Sequence, residues 1–100
     1  MKIDTVIENG KVVVTLTGSM YVEEAAVLRE KLITLMESGQ KQFVIKLNHV
    51  EYIDSSGLGV LVAIQKRALQ MQGGVTLVGA NGLVKELFEL TRLNKVFSMG

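Results

Sequence analysis

Four consecutive residues in the middle of the chain carry the hydroxyl and carboxyl groups best suited to chemistry. The segment Asp54-Ser55-Ser56-Gly57 lies where a predicted strand and loop lead into a predicted helix. Helix N-termini favour Asp, Ser and Gly, because a side-chain oxygen there can accept a hydrogen bond from an unpaired backbone N–H. The positive end of a helix, with its free N–H groups, also attracts anions. A phosphate on Ser55 could therefore be held there, changing charge and surface but not fold.

The same segment leaves open a hydrolase with a serine nucleophile. Such a nucleophile needs a base, and the only histidine is His49, near the end of the third predicted strand. The G-x-S-x-G sequence of a nucleophile elbow is absent. Gly57-Leu58-Gly59 also lacks the third glycine of a dinucleotide-binding loop. These residue types favour a modification or binding site over a catalytic one.

The predicted helix that follows this segment has two apolar stripes. When its residues are placed at 100° intervals, the predicted core face consists of Gly57, Val60, Leu61, Ile64, Ala68 and Met71. A second stripe of Leu58, Val62 and Leu69, with Gln65 among them, lies about 100–150° away. A helix that covers a sheet needs only one apolar face, so the second stripe either packs against a neighbouring helix or binds a protein partner. Because this stripe begins beside Ser55, a phosphate on Ser55 would lie at its edge.

Glycine and asparagine residues divide the rest of the chain into short elements. Strands are predicted over 3–8 and 11–17, joined at Asn9-Gly10, a dipeptide typical of a two-residue hairpin turn. Further predicted strands lie at 43–47 and 75–78, with a final short one at Val96-Phe97. Predicted helices run over 22–38 and 82–91, and the helix that follows the Asp54–Gly57 segment runs to about Gln72. This order predicts one α/β domain spanning residues 1–100, with an N-terminal β-hairpin, a mixed sheet and right-handed crossovers.

The composition excludes several classes of function. The absence of cysteine among the 100 residues excludes a disulfide scaffold, a thiolate nucleophile and a cysteine-containing zinc site. One histidine and two aspartates exclude a multi-histidine metal centre, and a net charge of +1 provides no polybasic surface for nucleic acid or an anionic membrane. No run of residues approaches the roughly 18 apolar residues of a membrane span, and the N-terminus has acidic residues where a signal peptide is apolar. We therefore expect a cytoplasmic binding protein that is not an enzyme and has neither cofactor nor metal.

From Val12 to Phe97 the chain resembles the bacterial anti-sigma factor antagonists of the STAS domain family. The resemblance is carried by the segments VEYIDSSGLGVLVAIQKRALQMQGGVTLVGA and VKELFELTRLNKVF. The block D-S-[S/T]-G-L-G after a hydrophobic strand is a strong signature of that family. The resemblance implies a four- or five-stranded mixed sheet with helices mainly on one face, and it implies that Ser55 is the phosphoacceptor.

The resemblance also implies the protein's partners. Members of the family bind an anti-sigma factor that is also a serine kinase with a histidine-kinase-like ATPase fold, and this binding releases the sigma factor. Phosphorylation of the serine ends the binding, and a PP2C-type phosphatase restores it. On this hypothesis the chain is a monomer or weak homodimer, Ser56 caps the helix, and Gly57 and Gly59 let a partner's backbone approach closely. The predicted partner-binding residues are Asp54, Ser56, Gly57, Leu58, Val62 and Leu69.

One segment departs from the family's pattern. After the second strand the family commonly carries Gly-Glu-Leu/Ile-Asp, whereas this chain reads Gly18-Ser19-Met20-Tyr21 and lacks both acids. In the family's fold this segment lies near the phosphorylation loop, so the departure leaves open whether Ser55 is phosphorylated. The alternative is a constitutive scaffold or regulatory subunit, of a stressosome-like or lipid-transporter assembly, in which Ser55 is only a helix cap.

Overall fold

The first two strands form a hairpin whose turn is set by two residues with a left-handed backbone. The φ angles of Asn9 and Gly10 are 52° and 78°, as the two central positions of a type I′ turn require. The turn joins β1 (Lys2–Glu8) to β2 (Lys11–Met20), which run antiparallel. The predicted hairpin is confirmed, although β2 is three residues longer than predicted.

A computed structural model describes all residues from 1 to 100 and has one five-stranded sheet with the strand order β1-β2-β3-β4-β5. The last four strands are parallel, and each connection between them contains a helix. The remaining elements are α1 (Val22–Glu37), β3 (Gln42–Ile53), α2 (Ser55–Gln70), β4 (Gly74–Val78), α3 (Gly82–Leu90), a 3₁₀ turn (Leu93–Lys95) and β5 (Ser98–Met99). The predicted mixed α/β sheet is confirmed, and no helix is both long and apolar enough to cross a bilayer.

The third strand continues well beyond the predicted 43–47. Its pairing with β2 shifts register twice, between Thr15 and Thr17 and between Gly18 and Ser19. At each shift β3 contains one residue more than β2, as at a β-bulge. Burial in the second half of β3 therefore recurs every third residue, at Leu47, Val50 and Ile53, and the two-residue alternation that identifies a strand is lost. The longer β3 carries the chain to the start of α2.

One face of the sheet holds the core, and the other face has no helix on it. On the core side, alternate strand residues such as Val14, Ile45 and Leu77 are fully buried beneath α1 and α2. Helix α3 adds Val84 and Phe88 to the same core. The opposite side of the central strands carries half-buried β-branched residues. The helices therefore lie mainly on one face, as predicted.

The last strand lies two residues later than predicted. Val96 and Phe97 precede β5, which pairs with β4 through Thr76 and Leu77. Phe97 is buried, and its ring meets that of Phe88 edge-on at a centroid distance of 6.2 Å. The apolar character of Phe97 therefore reflects core contact and not strand pairing.

Candidate functional site

The candidate site lies at the carboxyl ends of β2 and β3, where the chain turns into α2. The pairing of these strands ends at Met20 and Ile53, and the N–H of Asp54 then donates to the carbonyl of Met20 over 3.1 Å. Helix α2 begins at the next residue, Ser55. The segment that lacks the family's two acids is the end of β2 and not a free loop, and it contacts the candidate site directly.

Asp54 is the N-cap of α2. Its Oδ1 accepts a hydrogen bond of 3.1 Å from the N–H of Gly57, and its carbonyl accepts one of 3.0 Å from the N–H of Leu58. The predicted capping role of Ser56 is therefore wrong, as is a capping role for Ser55. The Asp54 carboxylate is three residues before Gly57 and thus in the position from which an N-cap side chain reaches the helix N–H groups.

Ser55 is exposed as the first residue of α2. Its hydroxyl makes no hydrogen bond within the protein, and neither does that of half-buried Ser56. The N–H groups of these two serines are also unpaired, as at the start of any α-helix. Ser55 thus presents a free hydroxyl beside backbone donors at the positive end of the helix dipole.

No charged residue of α2 lies near this hydroxyl. Asp54 is followed by eleven uncharged residues, from Ser55 to Gln65, before Lys66 and Arg67. An anion bound at the start of α2 would therefore meet backbone N–H groups but no basic side chain of this helix.

Gly57 lies inside the protein, which contradicts its predicted role in binding a partner. It is buried, and a Cβ atom at this position would lie 2.5 Å from Cγ2 of Ile53 and 2.8 Å from Sδ of Met20. Its function is to let α2 approach the ends of β2 and β3. Gly59 is exposed with open space around its Cα, so its contact with a partner stays a prediction.

The second apolar stripe of α2 is only partly exposed. Leu58 and Val62 are half-buried against the core, whereas 56% of Leu69 is exposed. Gln65, expected on the same stripe, is buried; its Oε1 accepts from the Val75 N–H and its Nε2 donates to the Val96 carbonyl, each over 2.8 Å. This side of α2 therefore faces β4 and the residues before β5, and α2 makes its main helix contacts with α1 instead. The apolar surface available beside Ser55 is narrower than predicted.

Two tyrosines that sequence reasoning did not place at the site lie at the same edge. Tyr21 follows β2 directly, and its ring lies 5.7 Å from that of Tyr52 in β3. Tyr21 is 52% exposed. The signal that could have indicated Tyr21 is its replacement of a family acid, whereas the partnership with Tyr52 depends on the register shifts of β3. Tyr21 thus brings an aromatic ring to a position where the family resemblance implies an acid, and this ring meets that of Tyr52.

His49 is not hydrogen-bonded to Ser55. It is exposed and lines an open cleft of about 590 Å³ together with Thr17, Glu51, Asn81 and Leu83, and it makes no hydrogen bond to any serine. The structure therefore brings together Asp54 and the two serines, but it does not add the histidine that the hydrolase hypothesis requires.

Comparison with known proteins places this arrangement in a family. The family description "STAS domain" matches residues 2–100. The chain belongs to the STAS domain family. Among curated relatives, this STAS domain is 36% identical to the anti-sigma-B factor antagonist of Bacillus subtilis (strain 168) over 86 residues, which cover 86% of this chain and 78% of the relative.

Solved structures agree with this assignment. The crystal structure of a candidate anti-sigma factor antagonist from Thermotoga maritima has a TM-score of 0.92 and 26% identity, covering 97% of this STAS domain and 84% of that chain. The Bacillus cell fate determinant SpoIIAA in its phosphorylated form has a TM-score of 0.80 at 17% identity, over 99% of this chain and 91% of that one. The unphosphorylated form of SpoIIAA gives 0.78 at 18%, over 89% and 83%. At these two identities the likeness to SpoIIAA concerns the fold alone.

Proposed function

We propose that this STAS domain is an anti-sigma factor antagonist and that phosphorylation of Ser55 turns its binding off. One observation carries the proposal: the capping role at the start of α2 belongs to Asp54, and the exposed hydroxyl of Ser55 has no structural duty. A kinase can reach this hydroxyl without unfolding the helix. The similarity to anti-sigma factor antagonists over most of the chain supports the same function.

The proposed partner is an anti-sigma factor that is also a serine kinase with a histidine-kinase-like ATPase fold. It binds the unphosphorylated chain through Asp54, Ser56 and Leu58 beside Ser55 and, further along α2, through Val62 and Leu69. The long uncharged part of α2 favours this surface, because an apolar contact needs no desolvated charge there. A PP2C-type phosphatase removes the phosphate and restores binding.

Charge repulsion accounts for the proposed switch. A phosphate adds about −1.5 to −2 charges, and the first eleven residues of α2 offer no side-chain cation to neutralise them. With a partner carboxylate about 6 Å away and an effective dielectric constant near 20, the repulsion is on the order of 4–5 kcal/mol before screening by salt. Even about 3 kcal/mol lowers affinity more than a hundredfold. The loss of a hydrogen bond from the serine hydroxyl, about 1 kcal/mol, is smaller.

The fold should stay the same after phosphorylation. A phosphate on Ser55 would lie in solvent at the positive end of α2, beside the unpaired N–H groups of Ser55 and Ser56. SpoIIAA, which shares this fold, has been solved in both its phosphorylated and its unphosphorylated form. The switch therefore acts on the docking surface.

The experiment is phosphorylation by the kinase recovered with the unmodified chain from its own cells. After incubation with that kinase and Mg·ATP, mass spectrometry should find one phosphate on Ser55. The Ser55→Ala variant should stay unmodified and remain bound to the kinase, while the matched Ser56→Ala variant should be phosphorylated like the wild type. Recovery of no kinase, or a phosphate on Ser56, would contradict the proposal.

The constitutive scaffold remains a second candidate because of the Tyr21–Tyr52 pair. Tyr21 stands where the family commonly has an acid, its ring lies 5.7 Å from that of Tyr52, and an aromatic surface suits a permanent contact. In that case the chain purified from its own cells under stress and without stress would carry no phosphate on Ser55. Its partner would remain bound whether ATP or ADP is present.

A further inference from the structure

The outer edge of β1 is an unpaired strand edge whose backbone pattern can be derived from the hairpin turn. β1 is the first strand of the sheet order, and six of its seven residues are exposed. The residues that flank a two-residue turn, here Glu8 and Lys11, exchange backbone hydrogen bonds, and such pairs alternate with non-bonded pairs along the hairpin. The even-numbered residues of β1 therefore bond to β2. The N–H and C=O groups of Ile3, Thr5 and Ile7 point away from the sheet.

We propose that this edge pairs with the same edge of a second copy of the chain, antiparallel and about a two-fold axis at Thr5. Each copy offers the same outward groups, so Thr5 bonds to Thr5 of the second copy and Ile3 bonds to Ile7 of the second copy. The three outward residues of each strand would exchange roughly six hydrogen bonds. The pairing joins the two sheets into one and conceals an edge that otherwise remains open.

The charges along β1 are complementary only in this register. With the axis at Thr5, Lys2 lies opposite Glu8 of the second copy, and the two-fold symmetry makes this pair twice. A shift by two residues in one direction would place Asp4 opposite Asp4, and a shift in the other direction would place Asp4 opposite Glu8. Like charges directly opposite each other destabilise a strand pair, and opposite charges stabilise it. A shift by one residue is excluded, because the outward N–H and C=O groups of one strand would then face residues whose backbone groups already bond to β2.

Apolar exposure along β1 fits the same register. Ile7 is 55% exposed on the helix side of the sheet, and it would be covered by half-buried Ile3 of the second copy. On the side without helices, Val6 is 53% exposed and would lie opposite Asp4. An open cleft of about 400 Å³ between Thr5 and α1, lined also by Glu30, Lys31, Thr34 and Leu35, leaves the helix side of the edge accessible.

The first test is sedimentation equilibrium of the full chain at concentrations up to about 1 mM. We expect a dimer with a dissociation constant below about 1 mM. Thr5→Pro removes an outward N–H without breaking a bond to β2, and proline is tolerated on an edge strand. This variant should raise the dimer dissociation constant at least about tenfold. The matched Thr5→Ala variant keeps the N–H and should dimerise like the wild type. Circular dichroism and thermal unfolding verify that both variants are folded.

The second test exchanges the paired charges. Lys2→Glu and Glu8→Lys should each raise the dissociation constant by about threefold or more, because each creates two like-charge pairs. The double variant restores opposite charges and should return the constant to within about twofold of the wild type. Amide hydrogen exchange should slow with rising concentration at Ile3, Thr5 and Ile7 but not at Asp4 or Val6. A chain that stays monomeric at about 1 mM, a dimer that Thr5→Pro leaves unchanged, or a double variant that is not restored would each overturn the proposal.

Discussion

Helices α1 and α2 begin side by side at the same edge of the sheet, yet their first turns are built differently. In α1 the residues after Tyr21 include Glu23 and Glu24, and Oε1 of Glu24 accepts a hydrogen bond of 2.9 Å from the Tyr21 N–H. In α2 the only carboxylate is that of Asp54, before the helix. Both helix ends carry the same partial positive charge, but α1 neutralises it with its own side chains. Of these two helices, only α2 has no acidic side chain in its first turn.

The largest expected effect is a loss of affinity for the partner when a negative charge is added at the first position of α2. Ser55→Asp should weaken binding to the proposed kinase by about tenfold or more, and phosphoserine by more than about a hundredfold, because the added charge faces the partner. The matched control is Val22→Asp, which adds the same charge to exposed Val22 at the first position of α1. Isothermal titration calorimetry measures both affinities.

Val22→Asp should weaken binding clearly less than Ser55→Asp does, because exposed Val22 is not among the proposed partner-binding residues and salt screens a charge in solvent. If Ser55→Asp binds as tightly as the wild type, the charge switch is wrong. If Val22→Asp weakens binding equally, the effect depends on net charge and not on the first turn of α2.

A smaller effect is expected at the third position of α2, where Gly57 corresponds to Glu24 of α1. Gly57→Ala should lower the free energy of unfolding by about 1–3 kcal/mol, because the new Cβ would overlap Ile53 and Met20. Gly59→Ala is the matched control in open space and should raise stability by about 0.5–1 kcal/mol. Urea unfolding followed by circular dichroism measures both. Equal stability of the two variants would show that α2 can move away from the strands at no cost.

The N-cap of α2 should contribute slightly less to stability. Asp54→Ala removes the acceptor of the Gly57 N–H and should cost about 1 kcal/mol. Asp54→Asn keeps an acceptor oxygen and should recover most of this loss. Thermal unfolding of the two variants at matched concentration checks the expectation. A loss that asparagine fails to recover would indicate that the charge, and not the hydrogen bond, is what stabilises the helix.

The smallest effect is expected at the corresponding carboxylate of α1. Glu24→Gln retains an oxygen that can accept from the Tyr21 N–H but removes the negative charge near the helix N-terminus. We expect a loss of about 0.3–1 kcal/mol that shrinks as salt is added. Urea unfolding at low and high ionic strength measures it. A stability loss that does not change with salt would show that charge does not explain the difference between the first turns of the two helices.

The sequence predicts those features that depend on a few neighbouring residues. Asn9-Gly10 specifies its turn, and the segment from Asp54 to Gly57 specifies a helix start, because each uses local backbone geometry. The choice among three oxygen-bearing residues for the cap was not predictable, since it depends on how β3 delivers Asp54 to the carbonyl of Met20. Periodicity places Gly57 on the core face of α2, but the residues that it contacts were not predictable, for a similar reason. Its neighbours Ile53 and Met20 come from two strands whose register is set by bulges.

Helical periodicity places Gln65 on the second apolar stripe of α2, with Leu58, Val62 and Leu69. The structure places it inside, because short β5 pairs only with Thr76 and Leu77, and the N–H of Val75 finds its acceptor in the Gln65 side chain. Periodicity along one helix cannot indicate an unpaired group on a distant strand.

Together with buried Leu61, Ile64 and Ala68, the two bonds of Gln65 help to fix which way α2 faces. An amide carries a donor and an acceptor on one carbon, and here they reach backbone groups 10 and 31 positions further along the chain. A glutamate carboxylate at this position lacks the donor, and a methionine thioether lacks the donor and is only a weak acceptor. Either substitution would leave a buried backbone polar group without a good hydrogen-bond partner. Rotation of the helix about its axis would break both bonds at once. Backbone groups of Val75 and Val96, later in the chain, thus help to fix the direction in which Leu69 projects into solvent. Any molecule that docks on that side of α2 meets Leu69 in the same orientation.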